Sequence, residues 1–120
     1  MVAATVDHLE DHARAGTTTT YGELNGALVR RTGQRPFDFS REVDRTAVGR
    51  LLGEAVERTF PEVGAMISAI TVYQAGNDPG SGFFKLASEK GLLTPNASSE
   101  QRLGFWMEQM KKVYAHYRVR

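Results

Sequence analysis

One β-rich segment among helical patterns limits the fold of this chain most. Residues 66–74, Met-Ile-Ser-Ala-Ile-Thr-Val-Tyr-Gln, carry β-branched and aromatic side chains over the length of a strand. A turn-rich run follows at 75–82, and Phe83 and Phe84 then begin either a short second strand or a helix that ends at Gly91. The sequence therefore predicts an α+β, mostly helical fold with a small β-hairpin or strand pair.

Two helices are predicted before this segment. Apolar residues at helical spacing predict the first over residues 3–15, and Gly16 is placed to end it. The second begins at Thr20 and Glu23, three residues apart, which match a capping box, and it continues to about Arg31. The Thr20 hydroxyl and the Glu23 carboxylate explain why a helix starts at this point in the chain.

A third helix is expected to be the central one. Asp44 is placed to cap it, and a broad apolar face continues to Phe60, just before Pro61. Gly49 and Gly53 lie four residues apart and leave one stripe of this helix without side chains. That stripe suits either internal helix packing or the close approach of a partner helix or a nucleic-acid strand.

A long C-terminal helix is predicted over residues 98–118. Ser98 and Gln101 match a second capping box at its start. It carries a wide apolar and aromatic stripe, which is either core or a homodimer surface. The residues of the stripe are Leu103, Trp106, Met107, Met110, Val113, Tyr114 and Tyr117.

Length and composition limit the domain organisation and the compartment. At 120 residues the chain is predicted to form a single domain, with a helical part at 3–60, a strand and glycine-rich segment at 66–86, and the C-terminal helix. The chain contains no cysteine, which excludes disulfides, thiolate metal sites and cysteine nucleophiles. Neither a membrane-length apolar run nor a basic signal region is found, so a cytoplasmic protein without membrane contact is expected.

Positive charge is unevenly distributed along the chain. The net charge is only +1, yet the first sixty residues hold eight arginines and no lysine. Arginine suits forked recognition of phosphate or of a guanine edge, and it also forms surface ion pairs. Nine acidic residues lie in the same half, so this pattern fits either an anion-binding surface or a solvated, mutually paired one.

Motifs for catalysis or for cofactor binding are not found. His8 and His12 share the i, i+4 spacing used by zinc sites, but no third ligand is indicated, and both are expected at the surface. The glycine-rich run at 76–82 lacks the Gly-Lys-Ser/Thr of a phosphate-binding loop. We therefore expect no metal and no cofactor, and the residues indicate no particular enzymatic reaction.

The order of elements suggests a nucleic-acid interface. Two short helices, a longer third helix, a strand and a glycine-rich tip are the outline of a winged helix-turn-helix, in which the third helix enters the DNA major groove and the wing contacts the backbone. Gly22 leaves the first turn of the second helix without a side chain at that position. The backbone amide groups of this turn are therefore placed to receive a phosphate beside Tyr21. The predicted nucleic-acid-binding residues are Tyr21, Gly22, Arg30, Arg31, Arg35, Arg45, Thr46, Arg50 and Lys85.

Three short motifs resemble the DNA-binding domain of the alkylguanine DNA alkyltransferases. They are Thr20-Tyr-Gly-Glu-Leu24, Arg45-Thr-Ala-Val-Gly49, and Ile70-Thr-Val72 with its glycine-rich loop. In that family the tyrosine acts at a phosphate and helps to rotate the target nucleotide, and an arginine near the recognition helix fills the vacated stack. The resemblance implies the first role for Tyr21 and the second for Arg45.

The chain also departs from this family. The family's Pro-Cys-His-Arg segment is replaced by Ile67-Ser-Ala-Ile70, which excludes alkyl transfer because the accepting cysteine is absent. A longer loop, Arg-Thr-Gly-Gln-Arg-Pro-Phe-Asp-Phe-Ser, separates the second and third helices. We therefore expect a non-enzymatic DNA-binding protein of winged-helix type. The alternative is a protein-interaction module or inhibitor that uses the same scaffold and binds no nucleic acid.

Overall fold

The computed structural model describes residues 1–73 and 78–118, and it confirms a mostly helical α+β fold. Within those ranges five α-helices accompany a sheet of two short parallel strands. In chain order the elements are α1 (Val2–Ala15), β1 (Thr19–Thr20), α2 (Tyr21–Thr32), α3 (Glu42–Val63), a 3₁₀ turn (Ile67–Ile70), β2 (Thr71–Val72), α4 (Ser81–Glu89) and α5 (Ser99–Tyr117). The sheet is not the predicted one, because Thr71–Val72 pairs with Thr19–Thr20 and not with the segment at Phe83 and Phe84.

Both predicted capping boxes are confirmed. The Thr20 hydroxyl accepts from the Glu23 backbone N–H, and the Glu23 carboxylate accepts from the Thr20 backbone N–H, each at 3.0 Å. Ser98 and Gln101 make the same reciprocal pair at the start of α5. Each box satisfies two backbone donors that the first turn of a helix leaves free.

The ends of α3 differ from the prediction. Asp44 does not cap the helix: α3 begins at Glu42, and the Asp44 carboxylate accepts from the Asp38 backbone N–H at 2.7 Å. Pro61 does not stop the helix either. It lies in the last turn, where its missing N–H costs one hydrogen bond, and α3 ends only at Gly64, which adopts the left-handed conformation.

The predicted strand at 66–74 is mostly wrong, because among its described residues, 66–73, only Thr71 and Val72 form a strand. The preceding residues form the buried 3₁₀ turn, and one backbone group just before it and one within it bond to side chains of α5. The Met66 N–H donates to the Gln109 side-chain oxygen at 2.8 Å, and the Trp106 indole N–H donates to the Ala69 carbonyl at 2.8 Å. These side chains substitute for a strand partner, so this apolar run is buried without a larger sheet.

A hairpin wing is not formed by the described residues. β2 pairs in parallel with β1, with Thr19 opposite Thr71 and Thr20 opposite Val72. Phe83 and Phe84, expected to begin either a second strand or a helix, lie in α4, and Lys85 lies on the same helix. Residues 74–77 of the predicted turn lie outside the described ranges.

The apolar stripe of α5 is only partly core. Trp106, Val113 and Tyr117 are buried and join one hydrophobic cluster with side chains from α1, α2, α3, β2 and α4. Leu103 and Met107 are 51% and 56% exposed, because they lie on the flank of the helix away from that cluster. No helix in the described ranges combines the length and apolar character needed to cross a membrane.

The expectation that both histidines lie at the surface is wrong for His8. His8 is 6% exposed, and its Nε2 lies 2.8 Å from the Thr19 hydroxyl, which joins α1 to β1. Burial lowers the pKa of His8 to about 4, and the neighbouring His12 and Arg31 contribute to the shift. Among the described residues no group of three metal-ligating side chains is found.

The buried His8 predicts a pH-dependent stability. Because an unfolded histidine has a pKa of about 6.5 and folded His8 one of about 4, stabilisation is complete above pH 6.5 and is lost as the pH falls toward 4. Urea unfolding at pH 7 and pH 5 measures this difference. His8→Gln is expected to reduce the pH dependence and His12→Gln to retain it, whereas equal pH dependence in wild type and His8→Gln would contradict the assignment.

Candidate nucleic-acid interface

A groove of about 1230 Å³ lies along α3 and is lined by residues of α2, α3 and α4. We name it the α3–α4 groove. Six of the nine residues predicted from the sequence line it: Tyr21, Gly22, Arg45, Thr46, Arg50 and Lys85. The structure therefore brings together side chains that are far apart in the sequence.

The other three predicted residues do not line this groove. Arg30 and Arg31 lie near the C-terminal end of α2, about 14 Å along the helix axis from Tyr21 at 1.5 Å per residue. Arg31 forms an ion pair with Asp11 at 2.9 Å, and Arg35 is exposed in the loop after α2. A ligand in the groove would have to extend well beyond it to reach them.

Tyr21 is held by three contacts within the protein. Its hydroxyl donates to the Pro79 carbonyl at 2.7 Å. Its ring stacks on Tyr73, with centroids 4.9 Å apart, and meets the ring of Phe39 edge-on at 6.3 Å. Burial raises the pKa of Tyr21, and Tyr73 and Asp78 raise it further, so the phenol is neutral at pH 7. Tyr21 thus connects the start of α2 to the segment before α4.

Two glycines leave backbone open at the groove. A Cβ at Gly49 would meet no atom within 4 Å, and one at Gly22 would meet only the Thr20 hydroxyl at 3.8 Å. Internal packing therefore does not require glycine at either position. Gly53 faces α4, but a Cβ there would make only an ordinary van der Waals contact with Leu86 at 4.0 Å, so packing does not require glycine there either. Of the two roles expected for the glycine stripe, the bare surface on α3 at Gly49 is the one that these distances fit.

The cations of the groove are not neutralised by carboxylates of the described chain. Arg45 donates to the Phe39 carbonyl at 2.8 Å, and neither Arg45, Arg50 nor Lys85 has an ion pair within residues 1–73 and 78–118. Their positive charge is available to a ligand.

Carboxylates also line the groove, at Glu42, Glu54, Glu57 and Glu89. Glu57 forms an ion pair with Lys90 at 3.0 Å. Along α3, Arg45 and Arg50 precede Glu54 and Glu57, and Arg45 and Glu57 are about 18 Å apart along the axis. The N-terminal half of the α3 wall therefore holds two arginines and one carboxylate, Glu42, and the C-terminal half holds two carboxylates; we call the first the cationic half.

Sequence analysis missed Tyr73, Phe39 and Pro79. Tyr73 is 50% exposed, lines the groove and follows β2 directly. Its proximity to Tyr21 follows from the pairing of Thr20 with Val72, which places the next residue of each chain segment side by side. The sequence signal for this contact is that an aromatic residue follows each short strand. That signal identifies the contact only once β1 is known to pair with β2.

Comparison with models of known protein families, with curated proteins and with solved structures found no match for this chain. The residues of the α3–α4 groove are therefore the guide to function.

The contacts of Tyr21 predict a stability effect for its hydroxyl. Tyr21→Phe should lower the free energy of unfolding by about 1 kcal/mol, because the buried Pro79 carbonyl loses its donor. Thermal and urea unfolding measure the change. Tyr114→Phe is the matched control, since the half-buried Tyr114 hydroxyl has no hydrogen bond within the described residues. Equal stability of wild type and Tyr21→Phe would show that the hydroxyl is free for a ligand.

Proposed function

We propose that this protein binds DNA without catalysing a reaction, and that the N-terminal half of α3 makes the principal contact. The observation that carries the proposal is the gathering of Tyr21, Gly22, Arg45, Thr46 and Arg50 from two helices onto one accessible groove. The cytoplasmic location expected from the sequence would give such a protein access to DNA.

The geometry of α3 supports this proposal. Arg45, Thr46, Gly49 and Arg50 are spaced so that they share one face of a helix. A helix about 10–12 Å across fits the major groove of B-DNA, which is about 12 Å wide. The bare surface at Gly49 lets the helix approach closely.

The distribution of charge gives the complex an orientation. In the proposed complex the N-terminal half of α3 faces DNA, where Arg45 and Arg50 contact phosphates or base edges. The positive end of the helix dipole adds to their charge. Glu54 and Glu57 lie further along the same wall of the groove and repel phosphates there, which limits contact to the N-terminal turns, and Glu42 reduces the attraction at those turns.

The roles implied by the alkyltransferase resemblance change under this proposal. Because the Tyr21 hydroxyl bonds to Pro79, we assign Tyr21 a positioning role rather than contact with a phosphate. Arg45 bonds to the Phe39 carbonyl at the mouth of the groove, so insertion into a base stack would require it to exchange that bond. Arg50 makes no such bond within the described residues and becomes the principal candidate for a DNA contact.

A second candidate function has two observations in its favour. The acidic half of the groove and the exposed Leu103 and Met107 of α5 suit a protein partner better than a polyanion. In this candidate the scaffold is a protein-interaction module or a homodimer through α5, and it binds no nucleic acid.

Fluorescence anisotropy with a short labelled duplex at about 50 mM salt tests the proposal, since the attraction of cations to phosphates is strongest at low salt. Arg50→Ala should weaken binding about tenfold, because removing a charge-assisted hydrogen bond costs roughly 1.5 kcal/mol. The slope of log affinity against log salt should fall by about 0.9 for each phosphate that the variant no longer neutralises.

Arg58→Ala is the matched control, because Arg58 is exposed on the same helix and does not line the groove. It should bind as wild type does. Equal losses of affinity in Arg50→Ala and Arg58→Ala would contradict the assignment of the groove. Wild-type protein that shows no salt-sensitive binding, but sediments as a stable dimer or heterocomplex, would favour the second candidate.

A further inference from the structure

A second pocket, of about 270 Å³, adjoins the α3–α4 groove. Ser81 and Lys85 of α4 line both cavities, and Arg102 of α5 reaches the second one from another helix. We name it the α4–α5 pocket. Ser88 and Thr94 add two further hydroxyl groups to its lining.

The charge of this pocket differs from that of the groove. Two cations, Lys85 and Arg102, line it and no carboxylate of the described residues does, whereas four carboxylates line the groove. Neither cation has an ion pair within the described part of the chain. Glu89, one turn after Lys85 on α4, lines the groove and not the pocket.

Arg102 is also held in place at this pocket. Its guanidinium carbon lies 5.6 Å from the centroid of the Phe84 ring, within the range of a cation–π contact. The ring restricts the side chain while the N–H donors of the fork remain available. An ordered arginine loses less conformational entropy when an anion binds than a freely mobile one does.

We propose that the α4–α5 pocket binds an oxyanion of the phosphate type. Arg102 supplies planar, forked donors, Lys85 supplies a compact charge, and the hydroxyls of Ser81, Ser88 and Thr94 are donors for the remaining oxygens. A phosphate occupies only part of 270 Å³, which leaves space beside Phe84 for the group attached to it.

The phosphate has two possible sources with the same chemistry. One is a backbone phosphate of DNA that extends from the α3–α4 groove across α4, and in that form the inference rests on the proposed function. The other is free phosphate or a phosphorylated small molecule. Lys85 is common to both cavities, so Arg102 is the residue that tests the pocket separately.

The first experiment titrates inorganic phosphate into ¹⁵N-labelled protein at constant ionic strength, with amide chemical shifts as the readout. We expect saturable shifts at Ser88, Thr94 and Arg102, and an affinity about tenfold lower in Arg102→Gln, because one charge-assisted hydrogen bond is removed. Lys111→Gln is the control, because Lys111 is exposed on α5 outside the pocket. Absence of these shifts in wild type, or equal affinity in Arg102→Gln, overturns the proposal.

The second experiment measures duplex DNA binding by the same variants. A weaker DNA complex of Arg102→Gln, with a salt slope lower by about 0.9, identifies the ligand as a backbone phosphate. Unchanged DNA binding by a variant that no longer binds phosphate identifies a free phosphate compound. Phosphate binding by a wild-type protein that binds no DNA supports the pocket and rejects only the proposed function.

Discussion

The parallel pairing of β1 with β2 is the contact on which the rest of the structure depends. It joins the chain before α2 to the chain after the 3₁₀ turn, with Thr19 opposite Thr71 and Thr20 opposite Val72. The next residues, Tyr21 and Tyr73, consequently stack, and the Tyr21 hydroxyl reaches Pro79 just before α4 begins. These two residue pairs thus fix the start of α2 beside α4. The α3–α4 groove lies along α3, which comes between those two helices in the sequence.

The charge of the α3 residues that line the groove differs between the two halves of the helix. Of the α3 residues that line the groove, Arg45 and Arg50 outnumber Glu42 in the N-terminal half, whereas the charged residues of the C-terminal half are Glu54 and Glu57. A polyanion that binds the whole length of α3 would meet all three carboxylates, whereas one that contacts only the N-terminal turns would meet Glu42 beside two arginines. The near-neutral net charge of the chain is therefore compatible with a local anionic ligand, provided that the ligand contacts the cationic half.

Local features of this fold can be predicted from the sequence, and contacts between distant segments cannot. The capping boxes at Thr20 and Ser98 are predictable because both partners lie within three residues. The composition of residues 66–70 favours a strand, but Gln109 and Trp106 supply the hydrogen bonds of this segment and a 3₁₀ turn forms instead. For the candidate site, Tyr21, Arg45 and Arg50 are predicted from the sequence and all three line the groove, although the described residues form no hairpin wing. The sequence pattern could not show that the Tyr21 hydroxyl is already bonded to Pro79, since those residues approach only through tertiary packing.

Chemical-shift mapping of the ¹⁵N-labelled protein with a short duplex DNA tests the central claim most directly, because it locates the ligand on the surface. The account predicts that the largest amide shifts fall on Gly22, Thr46, Gly49 and Arg50, which line the cationic half of the α3–α4 groove. It also predicts that the amide signals of the exposed α5 residues Leu103 and Met107 do not shift. Shifts concentrated on α5, or no shifts at low salt, would contradict the proposal that this groove binds DNA.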